Sequence, residues 1–177
     1  MEGGQIALTV TNDLPAAWGG NVDWSVERLD GEVVATGRLA VDAAPLATTA
    51  VCRVDVPGAI GDQGSTVLVA ELIEAGAATA LVVTPLVPDK HLALRHPKLE
   101  VALAENAPGR AAISLRSDSL ARWVELLLEG ADVVFSDNYF DLPAVRDTRI
   151  SFALPPGWSI EQARQALRIR SVVDTYS

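Results

Sequence analysis

Apolar and polar residues alternate along most of this chain with a period of two. In residues 5–12, Ile6, Leu8 and Val10 fall on one side, and alanine and threonine fall on the other. This alternation is the pattern of a half-buried β-strand. The same pattern predicts strands at residues 22–29, 33–41, 49–56, 66–73 and 79–84. Strands joined by turns, with no helical period between them, predict an antiparallel β-sandwich.

A second series of strands follows residue 97. It is predicted at residues 98–105, 111–115, 124–128, 133–135, 149–154 and 167–175. The residues expected to face inward include Leu99, Val101, Leu103, Ala111, Ile113, Leu115, Val124, Leu126 and Leu128. One short helix is predicted to begin at Ser159, because Ser159 and Gln162 have the spacing of a capping box. The predicted fold class is therefore all-β, with two antiparallel β-sandwiches in tandem and one short helix near the C-terminus.

Residues 85–97 separate the two series of strands and differ from them in composition. This stretch is rich in proline and holds both histidines of the chain. We expect a first domain at residues 1–86, a linker at 87–97 and a second domain at 98–177. Two histidines without further histidine or cysteine ligands make no closed metal site, so we predict neither a metal site nor a cofactor.

The cysteine content likewise predicts no metal site. Cys52 is the single cysteine, and it alternates with the apolar residues Ala50 and Val54. A lone cysteine forms no disulfide framework within the chain. Its position predicts a small apolar side chain on the inner face of a strand.

The charge of the chain limits its partners. Hydrophobic residues make up 49% of the sequence, and the formal net charge is −9. Nucleic acids and anionic membrane surfaces bind clustered lysine and arginine, and this chain has no basic stripe. The N-terminus does not have the pattern of a signal peptide, and no apolar run reaches the ~20 residues of a membrane span. We expect a soluble chain with neither partner, in the cytoplasm or in a compartment that the sequence leaves open.

Motifs for catalysis are missing from the sequence. It contains no Gly-x-Ser-x-Gly nucleophile elbow and no glycine-rich phosphate loop. Glu125 and Glu129 are the carboxylate pair that we considered for glycoside hydrolysis. Their spacing on a strand is about 13 Å, and a flat sheet face supplies no cleft. We therefore predict that this chain alone has no catalytic residue and is not an enzyme.

Residues 135–143 combine aromatic and turn-forming side chains at unusual density. Aspartate and asparagine bond nearby backbone groups, which favours a folded corner over a strand. We predict a structural corner made of Asp137, Asn138, Tyr139, Phe140 and Asp141. Asp137 and Asn138 are expected to bond backbone groups, with one of the two aromatic rings buried. The alternative is that the polar side chains of this corner bind an ion or a sugar.

Aromatic residues raise the possibility of carbohydrate binding, because flat rings can stack on pyranose sugars. Trp24 alternates with buried-type residues and is expected to face inward, whereas Trp123 shares the outer face of a strand with Glu125. Burial is the commoner fate of a tryptophan. We take Trp123 and Trp158 as the candidate sugar platforms.

Several segments of the sequence carry a resemblance to a known family. Residues 117–126 and the run Phe-Ser-Asp-Asn-Tyr-Phe-Asp-Leu at 135–142 resemble the last β-sandwich of β-mannosidases of glycoside hydrolase family two. Residues 167–176 look like the final strand of that domain. Residues 8–14 and 85–94 are similar to the domain before it. The resemblance implies that both sandwiches are immunoglobulin-like.

The resemblance also implies a function for the chain. Enzymes of that family hold an acid/base glutamate and a nucleophile glutamate on a (β/α)₈ barrel and use no cofactor, and nothing here matches a barrel. The implied role is therefore a non-catalytic C-terminal accessory region, whose partner is the catalytic barrel of the parent chain. The parent enzyme could equally be an exo-glucosaminidase or another exo-hydrolase. The alternative function is a stand-alone carbohydrate-binding or adhesion module with an oligosaccharide as its partner.

Overall fold

The computed structural model describes residues 4–56 and 62–175. The strands are β1 (Gln5–Asn12), β2 (Trp18–Arg28), β3 (Val33–Ala43), β4 (Ala47–Asp55), β5 (Thr66–Glu74), β6 (Ala77–Pro85), β7 (Leu99–Ala107), β8 (Arg110–Ser117), β9 (Ala121–Leu128), β10 (Phe140–Leu142), β11 (Asp147–Ala153) and β12 (Leu167–Arg170). The α-helix α1 is Ile160–Ala166, and short 3₁₀ helices lie at Gln63–Ser65, Asp89–His91 and Val172–Thr175. The predicted all-β class is confirmed.

The chain divides into two compact units. The first consists of Met1–Arg28 and Glu32–Ala93, and the second of Leu29–Gly31 and Leu94–Ser177. In the first unit, the sheet β3-β2-β5-β6 accompanies the two-stranded sheet β1-β4. In the second unit, the sheets are β11-β8-β7 and β10-β9-β12. The strand pairs in both units are antiparallel, as the sandwich prediction requires.

The core of the first unit lies between its two sheets. Val26 and Leu68 are almost fully buried there, and the half-buried side chains of Trp24 and Cys52 pack against the same cluster. The indole of Trp24 lies over Gly37, on the neighbouring strand. A Cβ added to Gly37 would lie 2.6 Å from the indole, so glycine at this position provides the room for the ring. The predicted inward positions of Trp24 and Cys52 are confirmed.

The core of the second unit is built mainly by β8 and β9. The inward positions predicted on these strands are all buried, at Ala111, Ile113, Leu115, Val124, Leu126 and Leu128. On β7, Leu103 is buried but Val101 is 46% exposed, so the prediction for Val101 is wrong. Because β7 pairs only with β8 in its sheet, the side chains along this edge strand are less completely covered.

The predicted strand at residues 133–135 is not formed. Its last residue, Phe135, makes only an isolated bridge to Phe152 of β11. After β9, the segment touches β11 of the other sheet at this one position, and no ladder forms along it.

The predicted strand at residues 167–175 is half correct. It ends at Arg170, because the Asp174 carboxylate accepts hydrogen bonds from the backbone N and the hydroxyl of Ser171, at 2.7 and 3.2 Å. These bonds turn the chain into the 3₁₀ helix Val172–Thr175.

The predicted start of the helix is confirmed. The Ser159 hydroxyl accepts a hydrogen bond from the backbone N of Gln162 at 3.2 Å, and the Gln162 side chain accepts one from the backbone N of Ser159 at 2.8 Å. Ala163 turns inward from α1 and is fully buried. Within residues 4–56 and 62–175, no helix has the length and apolar character needed to cross a membrane.

Candidate functional site

Asn138 attaches the predicted corner to β9 through its side chain. Its Oδ1 accepts hydrogen bonds from the backbone N of Leu126 at 2.7 Å and from that of Tyr139 at 3.1 Å. Its Nδ2 donates to the carbonyl of Leu126 at 3.0 Å. Asp137 in turn accepts from the backbone N of Asn138 at 2.8 Å. Both side chains therefore bond backbone groups, and the Asn138 amide replaces part of a missing strand pairing.

An ion pair with little exposure to solvent lies at the other end of the corner. Arg122 donates from Nε and Nη2 to the two carboxylate oxygens of Asp141, at 3.1 and 3.2 Å. The two side chains are only 8% and 15% exposed. Asp141 also accepts from the backbone N of Trp123 at 3.1 Å. Two parallel bonds between planar groups are the strong geometry for such a pair.

Trp123 and Tyr139 have an unusual backbone conformation. Their φ angles are 51° and 59°, in the left-handed region that bulky residues rarely adopt. Each such residue costs about 1–3 kcal/mol of strain. The backbone N of Trp123 is bound by Asp141, and that of Tyr139 is bound by Asn138. The polar residues of the corner thus hold the strained conformation of two aromatic residues.

The rings of the corner point to different environments. Phe140 is half-buried and packs against the hydrophobic core, whereas Tyr139 is 64% exposed. The hydroxyl of Tyr139 donates to Oε1 of Glu125 at 2.9 Å. Glu129 has a different partner, Nη2 of Arg168, at 2.6 Å. The two glutamates considered for catalysis are therefore engaged separately.

The candidate sugar platforms also differ in exposure. Trp123 is 47% exposed, and the Arg122 guanidinium lies 5.5 Å from the centroid of its ring, within the range of a cation–π contact. Trp158 is half-buried and packs against the core of the second unit. Among the described residues, no group of three or more His, Cys, Asp or Glu side chains could hold a metal ion. The assignment of a sugar platform or of an ion site stays a prediction.

Sequence reasoning missed the role of Arg122, although its position carries a signal. Arg122 is in phase with the inward-facing Val124 and Leu126 of β9, so the alternation placed a charge in the core. A buried charge needs a partner, and Asp141 supplies it. The pairing is non-local, and the order of residues along the chain did not reveal it.

The contact between Tyr139 and Glu125 predicts a measurable titration. The hydrogen bond to the Glu125 carboxylate, together with its charge, raises the pKa of Tyr139. We expect Glu125→Gln to lower the pKa of Tyr139 in an absorbance titration of the phenolate. Because the folded pKa is the raised one, the stability from this contact is present below about pH 10 and is lost as the pH rises through the folded pKa.

The control for this titration is Tyr139→Phe, which removes the Tyr139 signal and leaves that of Tyr176. If the pKa of Tyr139 were the same in the unmodified chain and in Glu125→Gln, the hydrogen bond between Tyr139 and Glu125 would be contradicted.

Two family models match consecutive parts of the chain. The model of the mannosidase Ig/CBM-like domain matches residues 4–91. The model of a mannosidase-type Ig-fold domain matches residues 94–175. No curated protein matches the chain.

Solved structures show the same fold at low sequence identity. The chain is similar to part of the β-D-mannosidase of Dictyoglomus thermophilum, with a TM-score of 0.85 and 16% identity over 96% of the chain. It is also similar to part of the exo-chitosanase of Amycolatopsis orientalis, with a TM-score of 0.65 and 15% identity over 93% of the chain. The match spans only 20% of the first protein and 24% of the second.

Proposed function

We propose that this chain is the non-catalytic C-terminal accessory region of a β-mannosidase-like retaining glycoside hydrolase. It belongs to the mannosidase Ig/CBM-like and mannosidase-type Ig-fold domain families. One observation carries the proposal. Both domains match in order, and almost the whole chain corresponds to a fifth of the length of a β-D-mannosidase. The remaining length of such an enzyme has room for a (β/α)₈ barrel, which needs about 250 residues.

The accessory role is structural. Each unit has its own hydrophobic core, so each is suited to act as a stable support for the catalytic barrel of the parent chain. We also propose a first domain at residues 1–86 and a second at 98–177, joined by a linker at 87–97. The 3₁₀ helix Asp89–His91 is the regular element described within that linker.

An activity assay tests the non-catalytic part of the proposal. The purified 177-residue chain, incubated with an aryl β-mannoside, is expected to release no aryl alcohol above the buffer rate. The double variant Glu125→Gln/Glu129→Gln is the matched control, because it removes the carboxylate pair nearest to a catalytic arrangement. If the unmodified 177-residue chain hydrolyses the mannoside and the double variant does not, the proposal is contradicted.

The genomic reading frame tests the accessory part of the proposal. We expect the frame that contains these residues to encode a (β/α)₈ barrel as well. In that longer protein, deletion of residues 94–177 is expected to lower the melting temperature of the barrel. A frame without a barrel, or a barrel whose melting temperature the deletion leaves unchanged, would contradict a supporting role.

A second candidate function is a stand-alone carbohydrate-binding or adhesion module with an oligosaccharide partner. The exposed ring of Trp123 favours it, and Trp158 is a less exposed second candidate. Native electrophoresis in gels with and without mannan tests this function. Retarded migration would support it, and unchanged migration would contradict it.

A further inference from the structure

One face of the second unit gathers exposed aromatic and charged side chains. On the outer face of β9 lie Trp123 and Glu125, and Tyr139 flanks them and bonds Glu125. On the neighbouring strand β12, the exposed Arg170 is the register partner of Glu125. We define the aromatic face as Trp123, Glu125, Tyr139 and Arg170.

We propose that the aromatic face binds a neutral pyranose unit of an oligosaccharide. This proposal goes beyond the accessory role. It rests on the candidate function of carbohydrate binding, to which it gives a site and a ligand class.

The backbone at Trp123 and Tyr139 is the first support for the proposal. Both residues are exposed and bear left-handed strain, which glycine would avoid. The fold holds them in place with Asp141 and Asn138, one side chain on each backbone N. Strained residues persist where the surroundings over-determine them, and they cluster at ligand-binding sites. The backbone contacts therefore hold both rings in fixed outward positions, which is the preorganised geometry that a binding surface needs.

The arrangement of the indole is the second support. The Arg122 guanidinium lies against one side of the Trp123 ring, and the ring is still 47% exposed. The indole is therefore packed on a guanidinium, while nearly half of the residue stays accessible to solvent. The C–H face of a pyranose is apolar and flat, so it can stack on such a ring at a small cost in side-chain entropy.

The polar groups set the class of ligand. Glu125 offers carboxylate oxygens as acceptors for sugar hydroxyls, and the hydroxyl of Tyr139 orients the carboxylate. Arg170 adds guanidinium donors on the same face. One acid and one base give the aromatic face no net charge, which favours a neutral sugar over an acidic one.

Trp123→Gly is the decisive variant. Glycine adopts a φ of 51° without strain, so the variant is expected to fold while losing the stacking ring. Isothermal titration with β-1,4-mannohexaose and cellohexaose measures the affinity. We expect the unmodified 177-residue chain to bind at least one of these oligosaccharides, and Trp123→Gly to bind it about tenfold more weakly. Val134→Ala is the control, because it removes an 89% exposed apolar side chain that lies outside the aromatic face.

The outcomes separate the site from the function. If the parent chain binds and Trp123→Gly binds equally well, the aromatic face is not the site, although carbohydrate binding stands. If the unmodified 177-residue chain binds neither oligosaccharide and mannan does not retard it, the proposed site and the carbohydrate-binding function are both contradicted. Stronger binding to polygalacturonate than to the neutral oligosaccharides would overturn the ligand class. Should Trp123→Gly not fold, Glu125→Gln retains the ring and must still weaken binding for the proposal to survive.

Discussion

Replacement of Asp141 by alanine is expected to destabilise the second unit by about 3–5 kcal/mol, because it removes the carboxylate that binds the buried Arg122 guanidinium through both of its oxygens. Arg122 is held by both carboxylate oxygens of Asp141 and is only 8% exposed. The same substitution removes the acceptor for the backbone N of Trp123. The strained backbone at Trp123 then loses the contact that holds it, so the loss of stability exceeds that from removing an exposed ion pair.

Hydrogen–deuterium exchange can locate this effect within the chain. We expect faster exchange in Asp141→Ala for the amides of β9, at Ala121–Leu128. The amides of β5, at Thr66–Glu74 in the first unit, serve as the internal reference. Asp141→Asn is the matched control, because it retains an acceptor oxygen and the shape of the side chain. Equal protection of β9 in the parent chain and in Asp141→Ala would show that the pair contributes little.

The alternation of side chains predicted much of the fold because each strand buries one face. The bounds of β1 agree with the prediction at both ends, at Gln5–Asn12. The inward positions of β8 and β9 also agree, since these strands lie in the core of a sandwich. At the edge strand β7 the same rule failed for Val101, because fewer neighbours cover an edge. Period two thus reports burial well in central strands and less well at edges.

Two segments with the composition of a strand were harder to predict. Residues 133–135 have the composition of a strand, but they lie between β9 and β10 and touch β11 of the other sheet only through the single bridge of Phe135 to Phe152, so they form no ladder. The C-terminal strand was predicted too long, because a local bond between Asp174 and Ser171 ends it. Composition favours a strand in both places, and non-local position or side-chain bonding decides otherwise.

The candidate site was visible in the sequence only in parts. The turn chemistry of Asp137 and Asn138 was evident, because these side chains act within a few residues of themselves. The pairing of Arg122 with Asp141, and the left-handed conformation of Trp123, depend on strands that meet only in the folded unit. The sequence therefore suggested a corner, and the structure shows that its polar side chains position an exposed tryptophan on the neighbouring strand.

Replacement of Phe152 by alanine is the second change with a large expected effect, about 3–5 kcal/mol on the second unit. Phe152 is 1% exposed on β11, and its ring centroid lies 5.2 Å from that of Phe135 at a tilt of 57°. Residues 133–135 have no ladder, so this ring contact helps to fix the chain before the corner. Two bonds reinforce it, from the backbone N of Ser136 to the carbonyl of Ser151 and from the backbone N of Ser151 to the Ser136 hydroxyl, at 2.8 and 2.9 Å.

Two companion variants separate the loss of volume from the loss of the ring contact. Phe135→Ala removes the half-buried partner, and Phe152→Leu keeps most of the buried volume without a ring. Urea unfolding, monitored by hydrogen–deuterium exchange of the β8 amides at Arg110–Ser117, should rank Phe152→Ala as the most destabilised of the three variants. Because every residue of β11 pairs with β8, the amides of β8 report the loss directly. If Phe135→Ala were as damaging as Phe152→Ala, the ring contact at the entry to the corner would outweigh cavity formation in the core.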